Sequence, residues 1–166
     1  MNFGLAHAYC KPRPTCAIDI DDYREAKPWL SDKDIDLDAL LFSEDAVVIS
    51  SGKKFSLKLI YRLRPSEIKE SIKIFGVSQN CILEFRCGTK DKKTAQDVLP
   101  PSIHPSGTTY QWYGHGDPLA PPSLPKTLRI VWEWQIEESN KKRHDKQAVK
   151  YNHQSILESP RQVATI

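Results

Sequence analysis

The chain has 166 residues, of which 39% are hydrophobic and 27% are charged, and its formal net charge is +3. One domain with a substantial core is expected at this length, and the mild basic excess permits a polyanionic partner without requiring one. No apolar run is long enough to span a membrane, and the first residues lack the pattern of a secretory signal peptide. We therefore expect a cytoplasmic protein with no membrane contact.

The most distinctive stretch near the N terminus is CAIDIDD, Cys16–Asp22, which predicts a short buried strand that ends in acidic residues. Every second position on one face is apolar, and Asp19 and Asp21 lie together on the other face. Two adjacent carboxylates repel each other unless a cation lies between them. A divalent metal held with waters and substrate phosphates is one solution, and a strand end with solvated acids is the alternative.

The segments on either side of this strand follow local rules. Residues 3–9 predict an initial strand. Asp22 is expected to cap a short helix that Pro28 interrupts early. A second short helix is expected over Ser31–Phe42, with Ser31 as its N-cap.

A hairpin is predicted next, with one strand over Ala46–Ser51 and the returning strand over Phe55–Arg62. The turn between them is basic because it contains Lys53 and Lys54. On the returning strand Lys58 lies in phase with an arginine, so this face is suited to phosphate. The alternative is a solvated strand edge protected by its lysines.

Residues 66–75 show apolar side chains at helical spacing, which predicts a helix that ends at Gly76. Asn80–Cys87 then predicts a strand with one apolar face. Its other face carries Glu84 and Arg86, and burying these charges is costly unless both have partners.

The next segment, Gly88–Thr94, predicts a flexible basic loop. Pro100–Gly107 follows an extended stretch and is stiffened by three prolines. Ser102 and His104 are expected to point the same way there, so that a hydroxyl and an imidazole are displayed in fixed geometry. A stiff connection without function is the structural alternative.

The C-terminal part predicts a strand over Thr109–Tyr113 and a proline-rich loop up to Pro125, where the last helix begins. Its apolar face includes Leu128, Val131 and Trp132. From Glu137 onward the apolar pattern fades, and we expect a frayed or extended polar tail.

The four cysteines fall in two pairs, each with five intervening residues, which is wider than usual zinc-binding spacing. We expect Cys81 and Cys87 to be buried, unliganded thiols on the core face opposite Glu84. A zinc site made of all four thiolates is the less favoured alternative, and disulfides are not expected in the cytoplasm.

Together these features resemble the bifunctional DNA primase/polymerase domain of phage, plasmid and prophage replication proteins, within the archaeo-eukaryotic primase superfamily. The most specific stretch is QDVLPPSIHPSGTTYQW, Gln96–Trp112. The resemblance covers residues 2–134 and leaves 135–166 as a helix end and polar tail. It implies an α/β (α+β) two-layer domain with a sheet like that of an RNA-recognition motif, shorter at its N terminus than is usual in the family.

The resemblance also implies functional residues. Asp19, Asp21 and Glu84 match the family's metal-binding carboxylates, which hold Mg²⁺ or Mn²⁺. Where the second motif usually has a histidine, this chain has Lys58 at about that place, and a lysine meets phosphate as a point charge. The contacts to triphosphate or sugar fall on Ser51, Lys58, Arg86, Ser102 and His104. The lysines that track a template backbone are Lys53, Lys54, Lys90, Lys92 and Lys93.

The implied activity is metal-dependent nucleotidyl transfer, which synthesises and extends primers in the replication of phages or other mobile elements. Its partners would be nucleoside triphosphates, a DNA template and primer, and a separately encoded replication helicase. The alternative from another class is a non-catalytic nucleotide- or DNA-binding remnant, or a structural module that partners such a helicase.

Overall fold

The computed structural model describes residues 2–157, with side chains described for residues 2–147. Contacts divide the chain into two compact units, Met1–Trp132 and Glu133–Ile166. The predicted domain limits of 2–134 and 135–166 stay a prediction. The strands are β1 Phe3–Ala6, β2 Thr15–Ile20, β3 Val47–Ser50, β4 Leu57–Arg62, β5 Ile72–Phe75, β6 Cys81–Arg86, β7 Gln96–Leu99 and β8 Gln111–Trp112. The helices are α1 Tyr23–Ser31, α2 Leu37–Leu41 and α3 Lys126–Leu157.

Six strands form one sheet in the order β5-β6-β2-β4-β3-β8, and all neighbours are antiparallel. The acid-bearing strand β2 is therefore central, as expected from its buried residues. β1 and β7 pair antiparallel as a separate two-stranded ribbon. This mixed α/β architecture confirms the predicted fold class, and the β3–β4 pairing confirms the predicted hairpin.

Both faces of the sheet are covered. On one face Phe85 stacks on Trp132 of α3, with ring centroids 5.4 Å apart. The opposite face carries a buried cluster that packs against the two-stranded ribbon and Tyr110. That cluster consists of Ala17, Val47, Ile49 and Ile60. The central strands are therefore apolar on both faces where α3 or the ribbon covers them. The acids of β2 lie beyond the apolar cluster on the ribbon side, where a cleft opens.

The two short helices differ from the prediction in two respects, the end of α1 and the start of α2. Asp22 caps α1 as expected, because its carboxylate accepts a hydrogen bond of 2.9 Å from the Arg24 amide. Pro28 does not interrupt α1, which continues to Ser31. The predicted cap of α2 at Ser31 is wrong, since Asp36 accepts hydrogen bonds from the first amides of that helix instead.

The helix predicted over residues 66–75 is wrong. A short 3-10 turn, Pro65–Glu67, is followed by the strand β5, which pairs with β6. The β-branched Ile72 and Ile74 alternate along that strand, which is the environment such residues favour. Phe75, which the helical pattern placed in the core, is 58% exposed.

The last helix begins where expected and buries Leu128, Val131 and Trp132. It continues to Leu157, beyond the residue at which we expected a frayed or extended tail. The final part of that predicted tail, residues 158–166, lies outside the described residues. Among the helices within residues 2–157, none has the length and apolar character needed to cross a membrane.

Candidate active site

Three charged residues form a row across the centre of the sheet. Asp19 of β2 lies directly opposite Glu84 of β6 on one side and Lys58 of β4 on the other. Directly opposed residues in neighbouring strands share a face. Glu84 therefore lies on the same face as Asp19.

A cleft of about 210 Å³ opens on this face beyond the buried cluster. It brings together Asp19 and Asp21, the Lys58 side chain and His104 from the proline-rich segment. Its remaining lining residues are Ile49, Ser51, Lys53, Ser56, Leu57 and Tyr110. The cleft is therefore lined by carboxylates, amines and an imidazole, a combination that suits an anion accompanied by a cation.

Asp97 of β7 lies beside the cleft, and the sequence did not identify it as a site residue. Its side chain is 3% exposed and pairs with Lys58. It also accepts a hydrogen bond of 2.7 Å from His7 Nε2 and lies 3.1 Å from Arg86 Nε. Burial by itself raises the pKa of Asp97, but the His7 hydrogen bond and the charges of Lys58 and Arg86 lower this pKa to about 2.

His7 is a structural member of this cluster. Its ring is fully buried, with Nε2 on Asp97 and Nδ1 2.9 Å from the Thr15 hydroxyl. Because the Asp97 carboxylate is ionised, Nε2 carries the proton that it donates. His7 therefore orients Asp97 from below the cleft and does not face it.

Opposing effects act on the pKa of the Asp19 carboxylate. Lys58 Nζ lies 3.3 Å from Asp19 Oδ2, and Arg86 Nε lies 3.9 Å from the same oxygen. Nevertheless the pKa of Asp19 is raised, chiefly because burial disfavours its charge, with Asp97 and Asp21 adding repulsion. Asp19 is thus a carboxylate whose ionised form would gain from a further cation.

Glu84 and Arg86, the two charged residues on this face of β6, are partners of each other. Arg86 Nη1 donates to Glu84 Oε2 at 2.9 Å, and its Nη2 donates to the Gln96 carbonyl at 2.9 Å. Its Nε is buried without a hydrogen bond. The 3.1 Å approach of Nε to Asp97 is therefore ionic in character, since the N–H is not aimed at the carboxylate.

Residues 1–127 match the family described as bifunctional DNA primase/polymerase, N-terminal. The chain belongs to the Prim-Pol family. It is a DNA primase/polymerase-type domain, and membership implies nucleotide and DNA substrates. Neither the curated proteins nor the solved structures gave a match.

Of the two side chains that Pro100–Gly107 was expected to display, only His104 lines the cleft of this Prim-Pol domain. His104 reaches the cleft, and its Nδ1 accepts a hydrogen bond of 3.1 Å from the Ser106 amide. Nε2 therefore carries the proton in the neutral ring. The expected display of Ser102 is wrong, because its hydroxyl is fully buried and accepts a 2.7 Å hydrogen bond from the Phe3 amide. It anchors the segment to β1.

The other predicted site residues are divided between the cleft and other places. Ser51 and Lys53 line the cleft, whereas Glu84 and Arg86 lie beside it without lining it. Lys54 is exposed, with its Nζ 4.9 Å from the centroid of the Phe55 ring. The loop lysines Lys90, Lys92 and Lys93 are exposed and are not among the lining residues.

The cysteine prediction is partly wrong. Cys87 is buried, but Cys81 is only partly buried and lies next to Asp21. Burial and the hydrogen bond to Asp21 raise the pKa of Cys81 to about 11, so this thiol stays protonated. The strand pairing explains the difference, because a bulge between Ile74 and Phe75 disturbs the register next to Cys81.

No group of three or more His, Cys, Asp or Glu side chains within the described part of the chain is arranged to hold a metal ion. Among the candidate carboxylates, Asp19 is paired with Lys58 and Glu84 is paired with Arg86. The arrangement therefore supplies oxygen donors of the kind that Mg²⁺ and Mn²⁺ prefer, with basic side chains as their present partners.

Proposed function

We propose that this Prim-Pol domain catalyses metal-dependent nucleotidyl transfer, adding nucleotides to a primer on a DNA template in the replication of a phage or another mobile element. The observation that carries the proposal is the single cleft that unites Asp19 and Asp21 with Lys58 and His104. Acidic and basic side chains in one cleft suit a triphosphate that enters with a divalent cation.

Charge supports the fit between these residues and Mg²⁺ or Mn²⁺. Four carboxylates lie in and beside the cleft, and Lys58 and Arg86 are paired with three of them, Asp19, Glu84 and Asp97. The pKa of Asp19 is raised chiefly by burial, and the neighbouring acids Asp97 and Asp21 add to this rise. The four carboxylates are Asp19, Asp21, Glu84 and Asp97. Asp19 and Asp21 would hold the ion, with Glu84 completing the set if Arg86 releases it.

The basic side chains have separate roles in this proposal. Lys58 moves between Asp19 and the incoming phosphates, while Asp97 keeps it at the base of the cleft. His104 donates from Nε2 to a phosphate or sugar oxygen, and Lys53 adds charge at the rim. A bound divalent ion would supply activation of the primer 3′-hydroxyl and neutralise charge on the leaving pyrophosphate.

One observation favours a second candidate, a nucleotide-binding module without catalysis. Lys58 already neutralises Asp19 at 3.3 Å, and a lysine that stays there would occupy the place of the metal. Such a module would bind a triphosphate through Lys58 and His104. It would show no dependence on a divalent ion.

The test is extension of a labelled primer with Mn²⁺, together with calorimetry of nucleotide binding with and without the ion. For Asp19→Asn and Asp21→Asn we expect loss of extension by at least about 100-fold, since charge stabilisation of this kind is worth several kcal/mol. Metal-dependent nucleotide binding should be lost as well. Lys58→His should retain or increase extension if the lysine replaces the family's histidine.

Asp91→Asn is the matched control, because Asp91 is exposed in the loop after β6 and does not line the cleft. Nucleotide binding that is metal-independent and unchanged in both aspartate variants would leave the non-catalytic module as the better account. Extension at the original rate in the Asp19→Asn protein would remove the proposal.

A further inference from the structure

A second groove adjoins the cleft and is lined mainly by aromatic and small polar side chains. It holds about 420 Å³ and shares Lys53, Ser56 and Leu57 with the cleft. Its remaining lining residues are Tyr23, Leu41, Phe42, Ser50, Phe55 and Tyr113. A ligand bound in the cleft can therefore continue into this groove without leaving the surface.

Three aromatic rings of the groove are exposed to solvent. Phe42 is 66% exposed, Tyr113 is 63% exposed and Phe55 is 37% exposed. They come from three separate places, the end of α2, the β3–β4 turn and the residue after β8. Clustered exposed rings on a monomer mark a binding surface, and flat rings of this kind accept stacked nucleic-acid bases.

The Phe55 backbone supports a functional role for its ring. Phe55 has φ = 63°, the left-handed region that a bulky residue rarely adopts. Its carbonyl accepts a 2.8 Å hydrogen bond from the Tyr23 amide, which holds it in place. Strain of this kind persists at sites where a side chain must be aimed.

Charge around the groove is basic. Arg24 lies over the Phe55 ring at 4.3 Å, and Lys54 lies 4.9 Å from the same ring. Lys53 lines the groove itself, and no carboxylate is among its described lining residues. Rings interleaved with cationic side chains fit a polyanion that carries bases. Arg24 is already paired with Asp22 at 2.6 Å, so the charge available to a ligand is that of Lys53 and Lys54. A hydrophobic protein segment would offer these two lysines no opposite charge.

We propose that single-stranded template DNA binds in this groove, with bases stacked on Phe42, Phe55 and Tyr113 and its backbone near Lys53 and Lys54. The inference rests on the proposed function, because a nucleotide in the cleft pairs with a template base that must lie directly beside it. The shared wall of cleft and groove provides that adjacency.

The test measures binding of a labelled single-stranded oligothymidine by fluorescence anisotropy. Base–aromatic stacking contributes about 1–3 kcal/mol per base, so removing each ring should weaken binding by roughly tenfold or more. We therefore expect the Phe42→Ala, Tyr113→Ala double variant to bind at least about 100-fold more weakly. Lys54→Gln should lower the salt dependence of log affinity by about 0.7.

The matched control is Phe75→Ala, since Phe75 is 58% exposed on β5 at the other edge of the sheet. It should bind the oligonucleotide like the unaltered protein. Thermal unfolding of each variant checks that the fold is kept.

Nucleotide calorimetry separates this inference from the proposed function. If the double variant keeps metal-dependent nucleotide binding and loses the oligonucleotide, the groove is the template site. Unchanged oligonucleotide affinity in the double variant overturns the inference while the proposed function stands, and leaves the groove to a protein partner. An unaltered protein that fails to bind single-stranded DNA also overturns it.

Discussion

Asp97 lies at the centre of the charged cluster beneath the cleft, where it faces His7, Lys58, Arg86 and the more distant Asp19. We expect Asp97→Asn to lower the free energy of unfolding by about 3 kcal/mol, because it leaves the partly buried cations Lys58 and Arg86 with a weaker partner. Urea unfolding at neutral pH measures the loss. Asp91→Asn, an exposed change of the same type, should have almost no effect.

The pH dependence of this difference follows from the pKa of Asp97. Its pKa is about 2 in the folded protein and 3.8 for the ordinary side chain. A lowered acid pKa contributes stability above about pH 4, and this contribution disappears as the pH falls towards 2. The shift corresponds to about 2 kcal/mol. If the difference in unfolding free energy between the unaltered protein and Asp97→Asn does not change between pH 5 and pH 2, this role of Asp97 is contradicted.

Individual residues differ in how far the sequence predicts them. The alternation of apolar side chains and acids places Asp19 and Asp21 on one face. The family resemblance grouped Glu84 with them, and the β2–β6 register brings Glu84 opposite Asp19. Asp97 was missed because its partners His7 and Lys58 lie 90 and 39 positions away in the chain. Its only local signal is a carboxylate inside the extended QDVL stretch, which does not show what it pairs with.

At the scale of elements, the loop after β8 carries Tyr113 and is fixed against the start of β3. The Tyr113 amide donates to the Val48 carbonyl at 2.8 Å, and the Gly116 amide donates to the Ala46 carbonyl at 2.9 Å. A Cβ at Gly114 would lie 2.0 Å from the Ala46 carbonyl oxygen. The loop can approach β3 this closely only with glycine at that position.

Gly114→Ala should therefore destabilise the domain by about 1–3 kcal/mol, the usual cost of overpacking against backbone. It should also weaken oligonucleotide binding, because the loop that carries Tyr113 must move away from β3. Gly4→Ala is the control, since a Cβ there would meet the Asp97 carbonyl oxygen at an ordinary 3.9 Å. Equal stability of the two variants, measured by thermal unfolding, would contradict the close approach.

The elements themselves were predictable where local pattern and tertiary environment agree. Local pattern and tertiary environment agree in β2, in the β3–β4 hairpin and at the start of α3. They do not agree in the 66–75 segment, since its isoleucines satisfy helical spacing and strand alternation alike. Pairing with β6 makes this segment a strand, and the local sequence does not show that long-range contact.

At the scale of the whole molecule, the buried residues lie in the unit that ends at Trp132. Between residues 133 and 147, where side chains are described, none is buried. Trp132 itself is fully buried, stacks on Phe85 and donates a 3.0 Å hydrogen bond to the Glu70 carbonyl. The helix therefore contributes to the core through its first turns.

A chain that ends after Gln135 should keep the stability of the full chain to within about 0.5 kcal/mol, as expected for loss of surface residues. Trp132→Ala in the full chain should instead cost about 3–5 kcal/mol, because it opens a cavity beneath the sheet. Urea unfolding followed by far-UV circular dichroism compares both proteins with the full chain. A loss above about 1 kcal/mol in the shortened chain, more than surface changes cost, would assign the removed residues a stabilising role, although no side chain described between 136 and 147 is buried. If the shortened chain keeps both its stability and its binding of oligothymidine, the cleft and the aromatic groove are complete within the first unit.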